Sequence, residues 1–168
     1  MITYTTADKW LKDEGTLVFV LTQTHFQSPS SQGFRRFRIN DTYRLAPVSV
    51  DDLKVLKPFP EALNKTTVSK FQKRKQAPNY PVPYRVWEAA KEYTRAIPTS
   101  LSKRAVLERV IIRDCEATPV GEEGSPWAIL APKRFAAVSS ITGRSTWVQG
   151  RKGITADLNG VYFVPIEA

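Results

Sequence analysis

The stretch GTLVFVLTQTHF, at residues 15–26, decides the fold of this chain. It is continuously apolar from Leu17 to Leu21, it is short, and it is rich in valine and phenylalanine. Runs of this kind are typical of a strand that is buried on both faces of an α/β sheet. We therefore expect a buried β-strand at this position.

Helices are expected on both sides of this strand. Residues 5–14, TTADKWLKDE, predict a helix with Thr5 or Thr6 as its N-cap. A second helix is expected to begin with Ser28 as its cap and Pro29 at its first helical position. We expect this second helix to bury its phenylalanines and to expose its arginines, which are Phe34 and Phe37 on one side and Arg35, Arg36 and Arg38 on the other.

Two more strands are expected before residue 76. TYRLAPVSVDDL at 42–53 and NKTTVSKFQKRK at 64–75 both have strand composition. The second alternates around Thr67, Ser69 and Phe71. Because no helix lies between the two strands, we expect an α/β fold with a mostly parallel sheet that ends in an antiparallel strand.

A proline-dense stretch, QAPNYPVPYRVW at 76–87, indicates a boundary. We therefore divide the chain into an α/β domain at 1–78, a proline-rich linker plus helix at 79–103, and a β-rich segment at 104–168. The helix is expected in WEAAKEYTRAI, and the β-rich segment is expected to contain RVIIRDC and WAILAP as strands.

The charge of the chain is strongly positive. Lys and Arg number 25 against 16 Asp and Glu, which gives a net charge of +9. This excess favours a polyanionic partner, and double-stranded DNA is the first candidate. A basic surface with no such partner is an equal alternative on charge alone.

Other classes of protein are excluded or disfavoured by the composition. One cysteine and one histidine cannot form an internal disulfide or a redundant His/Cys zinc site, so we expect no metal. No apolar run reaches the ~20 residues of a membrane helix, and the N-terminus lacks the pattern of a signal peptide. These features predict a cytoplasmic protein without a membrane partner.

The residues at 7–40, ADKWLKDEGTLVFVLTQTHFQSPSSQGFRRFRIN, resemble class I, S-adenosylmethionine-dependent adenine-N6 DNA methyltransferases of the restriction–modification type. In that family a helix ends in glycine, and an apolar strand, a Ser-rich turn and a helix with FRRF follow. Residues 48–75 resemble the next two strands, and residues 140–164 resemble the passage into the target-recognition region. The resemblance implies the distal half of a Rossmann-like methyltransferase sheet.

The chain also departs from that family. It has no Gly-rich cofactor loop, no acidic residue in the place that follows the loop, and no Asn/Asp-Pro-Pro-Tyr motif, since NYP at 79–81 has the wrong order. S-adenosylmethionine is the cofactor of the full-length family, but we expect no cofactor, no catalytic residue and no methyl transfer in this chain alone. The pattern is that of the middle of a longer enzyme, either as an expressed piece, a split-gene product or a remnant.

The resemblance implies a role in target-base binding for one aromatic residue, whereas the basic residues are candidates for DNA contacts because of their charge. Phe59 is expected to stack on the extruded target adenine, with a loop anchor between two prolines as the alternative. Three basic groups are candidates for DNA contacts: Arg35, Arg36 and Arg38; Lys70, Lys73, Arg74 and Lys75; and Arg144, Trp147, Arg151 and Lys152. The alternative for the first two groups is a solvated surface. The alternative for the third is a Gly-rich connector with Trp147 in the core.

Other polar residues are expected to be structural. His25 follows the first strand, and a lone histidine there is an ordinary polar residue more often than a general base. Asp51 and Asp52 are adjacent in a strand, so they face opposite ways and are expected at the surface or at a sheet end. Cys115 is expected in the core.

Two functions follow from these observations. The first is a DNA-side piece of an adenine-N6 methyltransferase that contributes to DNA and target-base binding. The second is a non-catalytic interaction module that pairs with a complementary methyltransferase half or with itself through a bare sheet edge. An unrelated hydrolase is a third and weaker hypothesis, because the sequence has no nucleophile–base constellation.

Overall fold

A mixed six-stranded sheet organises the structure. The computed structural model describes residues 2–56, 58–59, 65–90 and 101–141. Short 3-10 turns at Pro29–Ser31 and Ser139–Ile141 accompany the main elements, which are α1 (Ile2–Trp10), β1 (Thr16–Thr22), α2 (Thr24–Gln27), α3 (Gln32–Arg35), β2 (Arg44–Asp52), β3 (Thr66–Arg74), β4 (Val82–Ala89), α4 (Lys103–Leu107), β5 (Val110–Pro119), β6 (Trp127–Leu130) and α5 (Phe135–Val138).

The order of the strands is β1-β3-β2-β4-β5-β6. β3 is antiparallel to both β1 and β2, so β1 and β2 run parallel to each other on either side of it. Among the strand pairs of the described residues, only β2–β4 is parallel, and the β4–β5 and β5–β6 pairs are antiparallel. The fold is therefore α/β as expected, but the expectation of a mostly parallel sheet is wrong.

β2 and β3 confirm the two strands that were expected before residue 76. The predicted alternation in β3 is also confirmed, because Thr67, Ser69 and Phe71 are all fully buried. Lys70 lies between them on the other face and is exposed. The period-2 pattern thus identified both the strand and its inward face.

β1 is a strand, but it is not buried on both faces. Val18 is 57% exposed and Val20 is 56% exposed, whereas Leu17 and Leu21 on the other face pack against the core. β1 is the outermost strand of the described sheet and pairs there only with β3. A continuous apolar run therefore belongs here to an edge strand with one covered face.

The core lies between the covered face of the sheet and the helices of the first 40 residues. Phe26 packs on Trp127 with ring centroids 4.7 Å apart, and Phe37 lies 5.7 Å from the same indole. Phe71 brings β3 into this aromatic cluster, at 6.2 Å from Phe37. Burying such large rings supplies most of the apolar contact between helices and sheet.

The predicted helix boundaries need correction. α1 begins at Ile2, so Thr5 and Thr6 lie inside it rather than capping it. Ser28 and Pro29 do start a helical segment, as expected, but its first turn is a 3-10 turn and the Ser28 side chain makes no capping hydrogen bond. α3 follows directly as four residues.

The proline-dense stretch is not a linker throughout. Residues 82–89 form β4, which lies between β2 and β5 in the sheet. This strand includes Trp87, Glu88 and Ala89, which were expected to begin a helix. Ala90 is also not helical, and residues 91–97 of that expected helix lie outside the described residues. The expected strands around RVIIRDC and WAILAP are confirmed as β5 and β6.

One buried arginine joins the helices to the far end of the sheet. The Nε of Arg35 donates to the carbonyl oxygens of Gly124 and Ser125 at 3.0 and 2.9 Å. Its Nη1 donates to the carbonyl oxygens of His25 and Ser28 at 2.8 and 2.7 Å. Arg35 is 1% exposed, so the expectation that it lies on the solvent side of its helix is wrong.

Replacing Arg35 is expected to cost much of the stability of this domain. Arg35→Met keeps the aliphatic volume but leaves buried carbonyl oxygens without donors, so we expect the free energy of unfolding to fall by about 3 kcal/mol or more. Urea denaturation followed by circular dichroism measures this loss. The control is Arg38→Met, an exposed neighbour for which a change within about 0.5 kcal/mol is expected. Equal losses in the two variants would show that the four hydrogen bonds of Arg35, which we call the Arg35 clasp, do not stabilise the fold.

Candidate nucleic-acid interface

A cavity of about 550 Å³ lies where α3, the start of β2, the segment before β4 and the β5–β6 turn meet. We call it the arginine cavity. Its wall includes Arg35, Arg36, Arg44, Tyr80, Pro119 and Glu123. Its size is within the range of small-ligand sites in proteins.

The β5–β6 turn is held against α3 by close backbone packing. Gly124 has a φ of +86°, and a Cβ at this position would lie 2.9 Å from the carbonyl oxygen of Gln32. Only glycine combines that backbone angle with so close an approach. Within the turn, the amide of Gly121 donates to the Ser125 hydroxyl at 3.0 Å. Together with the Arg35 contacts, this packing fixes the position of the cavity wall.

The charge around the cavity is mainly positive. Three guanidinium groups line it against the single carboxylate of Glu123 among its described wall residues. Within the described part of the chain, neither Arg36 nor Arg44 forms an ion pair. Arg44 donates only to the carbonyl oxygen of Asn40, at 3.1 Å.

The strand pairing extends this positive charge beyond the cavity. Arg44 lies opposite Arg38 in an isolated bridge and opposite Arg74 in the β2–β3 ladder. We call Arg36, Arg38, Arg44 and Arg74 the basic rim. Two of them have carboxylate neighbours, since Arg38 pairs with Asp41 at 3.3 Å and Arg74 lies 3.7 Å from Glu14. The uncompensated charge is thus concentrated at Arg36 and Arg44.

Tyr80 supplies the aromatic surface of the cavity. Its side chain is 37% exposed, and its ring packs edge-on against Trp127 with centroids 6.0 Å apart. Burial raises the pKa of the Tyr80 phenol to about 12, with the Glu123 charge acting in the same direction and the Trp127 side chain opposing it. Tyr80 is therefore a neutral phenol at physiological pH.

The basic residues predicted from the sequence separate into buried and exposed groups. Lys73 is buried, and its Nζ donates to the carbonyl oxygens of Asp8 and Leu11 at 3.3 and 2.9 Å. It thereby satisfies the C-terminal end of α1, a structural role that lysine often has at helix ends. Because Lys73 and Arg35 are both buried, neither of these two side chains is accessible to a DNA phosphate.

The remaining described candidates are accessible to solvent. Arg36, Lys70 and Lys75 are exposed, and the Lys75 Nζ lies 5.9 Å from the centre of the Tyr43 ring. Phe59 is 53% exposed in the connection that leaves the Asp52 end of β2, whereas the basic rim lies at the opposite end of that strand. The fold thus places Arg36 at the cavity but does not bring Phe59 to it.

Four further candidates, Arg144, Trp147, Arg151 and Lys152, lie outside the described residues. Two residues that complete the cavity, Arg44 and Tyr80, were missed by the sequence analysis. Tyr80 is distant in sequence from α3, and no helical or strand period connects either residue to that helix. The bridge between Arg38 and Arg44 and the path of the chain before β4 bring the two residues to the cavity.

The adjacent aspartates face opposite sides of the sheet, as predicted. Asp51 accepts from the Nε of Arg85 and from the Trp87 indole, both at 2.8 Å. Asp52 is fully buried rather than at the surface, but it is the last residue of β2, which agrees with the alternative expectation of a place at a sheet end. Its carboxylate accepts from the Tyr84 hydroxyl at 2.6 Å and from the Lys54 amide at 2.9 Å.

His25 and Cys115 have environments that suit structural roles. The His25 ring stacks on Phe34 with centroids 4.9 Å apart, and burial lowers its pKa. Burial also raises the pKa of the Cys115 thiol, which disfavours the reactive thiolate. No group of three or more His, Cys, Asp or Glu side chains that could hold a metal ion occurs in the described part of the chain.

The comparisons with known proteins give no assignment. No protein-family model matches the chain, and a search of curated proteins finds no match. None of the helices in the described ranges is long and apolar enough to span a membrane.

The Tyr84–Asp52 pair predicts a loss of stability at high pH. Burial, followed by the hydrogen bond to Asp52 and its charge, raises the pKa of Tyr84 above the usual value of about 10. Above that pH the unfolded chain has lost this proton while the folded chain still holds it, so the free energy of unfolding decreases as pH rises. Tyr4 and Tyr80 act in the same direction.

The test compares the chain with Tyr84→Phe by urea denaturation between pH 8 and pH 11. At pH 8 the variant is expected to lose about 1–3 kcal/mol, because Asp52 loses a buried donor. Above pH 10 its stability is expected to fall less steeply than that of the unmodified chain. Identical slopes would show that Tyr84 does not contribute to the alkaline transition.

Proposed function

We propose that this chain is a DNA-binding relative of the distal part of a restriction–modification type adenine-N6 methyltransferase. The observation that carries the DNA-binding part is the pair of guanidinium groups, Arg36 and Arg44, which lie on one rim and have no ion-pair partner in the part of the chain that the structure describes. Arginine forks match the geometry of phosphate oxygens, and the net charge of +9 favours approach to a polyanion.

The arrangement of the first three strands supports the methyltransferase part of the proposal. β3 is antiparallel and lies between two strands that are parallel to each other. The resemblance to the distal half of a Rossmann-like methyltransferase sheet implies an antiparallel strand, and β3 has this direction although it lies inside the sheet rather than at its end. The exposure of Phe59 in the loop between β2 and β3 is compatible with the proposed stacking on a target base.

The residues of this chain do not fit the cofactor of that family. The turn between β1 and α2 and the connection between β2 and β3 contain no glycine, so neither resembles a phosphate or nucleoside cradle at the end of a strand. We therefore assign no S-adenosylmethionine site and no chemical step to this chain. Its proposed contribution is to hold DNA, chiefly through phosphate contacts that are blind to sequence.

Salt dependence distinguishes this proposal from an unengaged basic surface. For the double variant Arg36→Gln, Arg44→Gln, we expect the slope of log K against log salt for duplex DNA to become shallower by about 1.8, which corresponds to two lost phosphate contacts. Fluorescence anisotropy with a labelled duplex at several salt concentrations measures the slope.

The matched control removes the same charge elsewhere. Lys103→Gln, Arg104→Gln lies on α4, where both side chains are exposed, and it is expected to leave the slope nearly unchanged. Equal effects of the two double variants would assign DNA binding to net charge rather than to the rim.

Methyl transfer by the chain alone is tested with radiolabelled S-adenosylmethionine and DNA. We expect no label to appear in the DNA, and labelled DNA would overturn the assignment of the chain as a non-catalytic piece.

A second candidate function is favoured by the outer edge of β1. Val18 and Val20 are exposed on the edge strand of the described sheet, and exposed apolar edge strands are templates for pairing with another chain. This supports an interaction module that pairs with a complementary methyltransferase half or with itself. The two functions are compatible, because the basic rim and the free edge of β1 use different residues.

Light scattering after size-exclusion chromatography tests self-association. If β1 pairs with a second copy, the mass is expected to be twice 19.0 kDa, and Val18→Lys, Val20→Lys is expected to return it to 19.0 kDa. Leu107→Lys, Ile111→Lys serves as the control, because it adds two charges at exposed apolar residues away from β1 and is expected to leave the mass unchanged. A single chain mass for the unmodified protein at all concentrations would exclude the homodimer.

A further inference from the structure

We propose that the arginine cavity binds one nucleoside phosphate, with the phosphate on Arg36 and Arg44 and the planar base on Tyr80. This site is separate from Phe59 and does not require the proposed relation to methyltransferases. The same chemistry is offered by a free mononucleotide and by one nucleotide of a nucleic-acid strand.

The positive charge of the cavity wall comes from exposed and buried arginines. Arg36 is exposed and Arg44 half-buried, and neither has an ion-pair partner among the described residues. Arg35 in the same wall is buried, and its Nη2 has no hydrogen-bond partner among the described residues. A buried cation is poorly screened by water, so it adds to the potential that an anion experiences in the cavity. A phosphate dianion matches this arrangement of guanidinium groups.

The apolar part of the wall favours a planar ring beside the phosphate. Tyr80 presents a partly exposed ring that Trp127 supports from the edge, and Pro78 and Pro119 provide flat apolar surface nearby. Aromatic side chains stack on bases in proteins that bind single-stranded nucleic acids, and every base has a face that can stack in this way. A volume of about 550 Å³ accommodates a base, a sugar and a phosphate, and is larger than an inorganic anion requires.

Glu123 makes the cavity selective against simple anions. Its carboxylate lies in the same wall as the arginines and repels a ligand that carries only acceptors. A nucleoside offers donors, namely sugar hydroxyls and exocyclic amino groups, that a carboxylate can accept. The combination of two free guanidinium groups, one carboxylate and one aromatic ring thus fits a nucleoside phosphate better than phosphate, sulfate or a carboxylic acid.

The first experiment is isothermal titration calorimetry with adenosine monophosphate, uridine monophosphate, adenosine and inorganic phosphate. At least one nucleotide is expected to bind at least tenfold more tightly than both adenosine and inorganic phosphate. Arg36→Gln, Arg44→Gln is expected to weaken nucleotide binding at least tenfold, whereas Lys103→Gln, Arg104→Gln is expected to leave it unchanged. No nucleotide binding at millimolar concentration would overturn the proposal.

Variants of Tyr80 separate stacking from simple charge attraction. Tyr80→Phe keeps the ring and is expected to keep nucleotide affinity, while Tyr80→Leu is expected to weaken it about tenfold without changing the affinity for inorganic phosphate. Circular dichroism confirms that both variants are folded. If Tyr80→Leu binds the nucleotide as tightly as the unmodified chain does, the ring is not part of the site and the proposal fails.

Competition identifies the source of the ligand. Displacement of the nucleotide by a single-stranded oligonucleotide would support a site for one nucleotide of a strand, and retention would support a site for a free nucleotide. Duplex binding without nucleotide binding would refute this inference while leaving the proposed DNA-binding function intact. Nucleotide binding without any binding of duplex DNA would support this inference and refute the proposed DNA-binding function.

Discussion

The Arg35 guanidinium is the contact on which the relation between the two halves of the chain depends. It donates to carbonyl oxygens at His25 and Ser28, near β1, and at Gly124 and Ser125, in the β5–β6 turn. The sheet alone connects these regions through four intervening strand pairs, across which small deviations in twist accumulate. A direct clasp across the helical face removes that freedom, and it also fixes the wall of the arginine cavity.

The same clasp explains why a cationic cavity can persist in a stable protein. Burying a charge is costly unless dipoles compensate it, and the carbonyl oxygens around Arg35 supply that compensation. Its neighbours Arg36 and Arg44 keep access to water, so their charges need no internal partner. One buried and two accessible guanidinium groups therefore coexist in a single wall, each with a different source of stabilisation.

The sequence patterns predicted the neighbouring strands β2 and β3 well, but they did not predict β4, which lies inside the sheet. The alternation at Thr67, Ser69 and Phe71 identified β3 because period-2 burial is a local property. β4 was missed because prolines argue against a central strand. Pro83 is tolerated there because pairing of β4 with β2 begins only at Tyr84, so its missing amide costs no bond on that side.

The site was predictable only in part, for a related reason. The three arginines of FRRFR look equivalent in sequence, yet Arg35 is buried while Arg36 and Arg38 are exposed. Which arginine turns inward is decided by the β5–β6 turn, some 90 residues away. Local patterns cannot contain that information. The role of Arg44 and Tyr80 likewise depends on long-range packing rather than on any motif.

The distribution of charge, rather than its total, is what gives the basic rim its meaning. Other arginines of the sheet are neutralised where they stand, since Arg85 pairs with Asp51 at 2.8 Å and Arg113 pairs with Glu88. Exposed pairs of this kind contribute little to stability, but they cancel the local field. Arg36 and Arg44 lack such partners among the described residues. An anion that approaches Arg36 and Arg44 therefore meets two guanidinium groups beside a cavity whose wall also contains the aromatic ring of Tyr80.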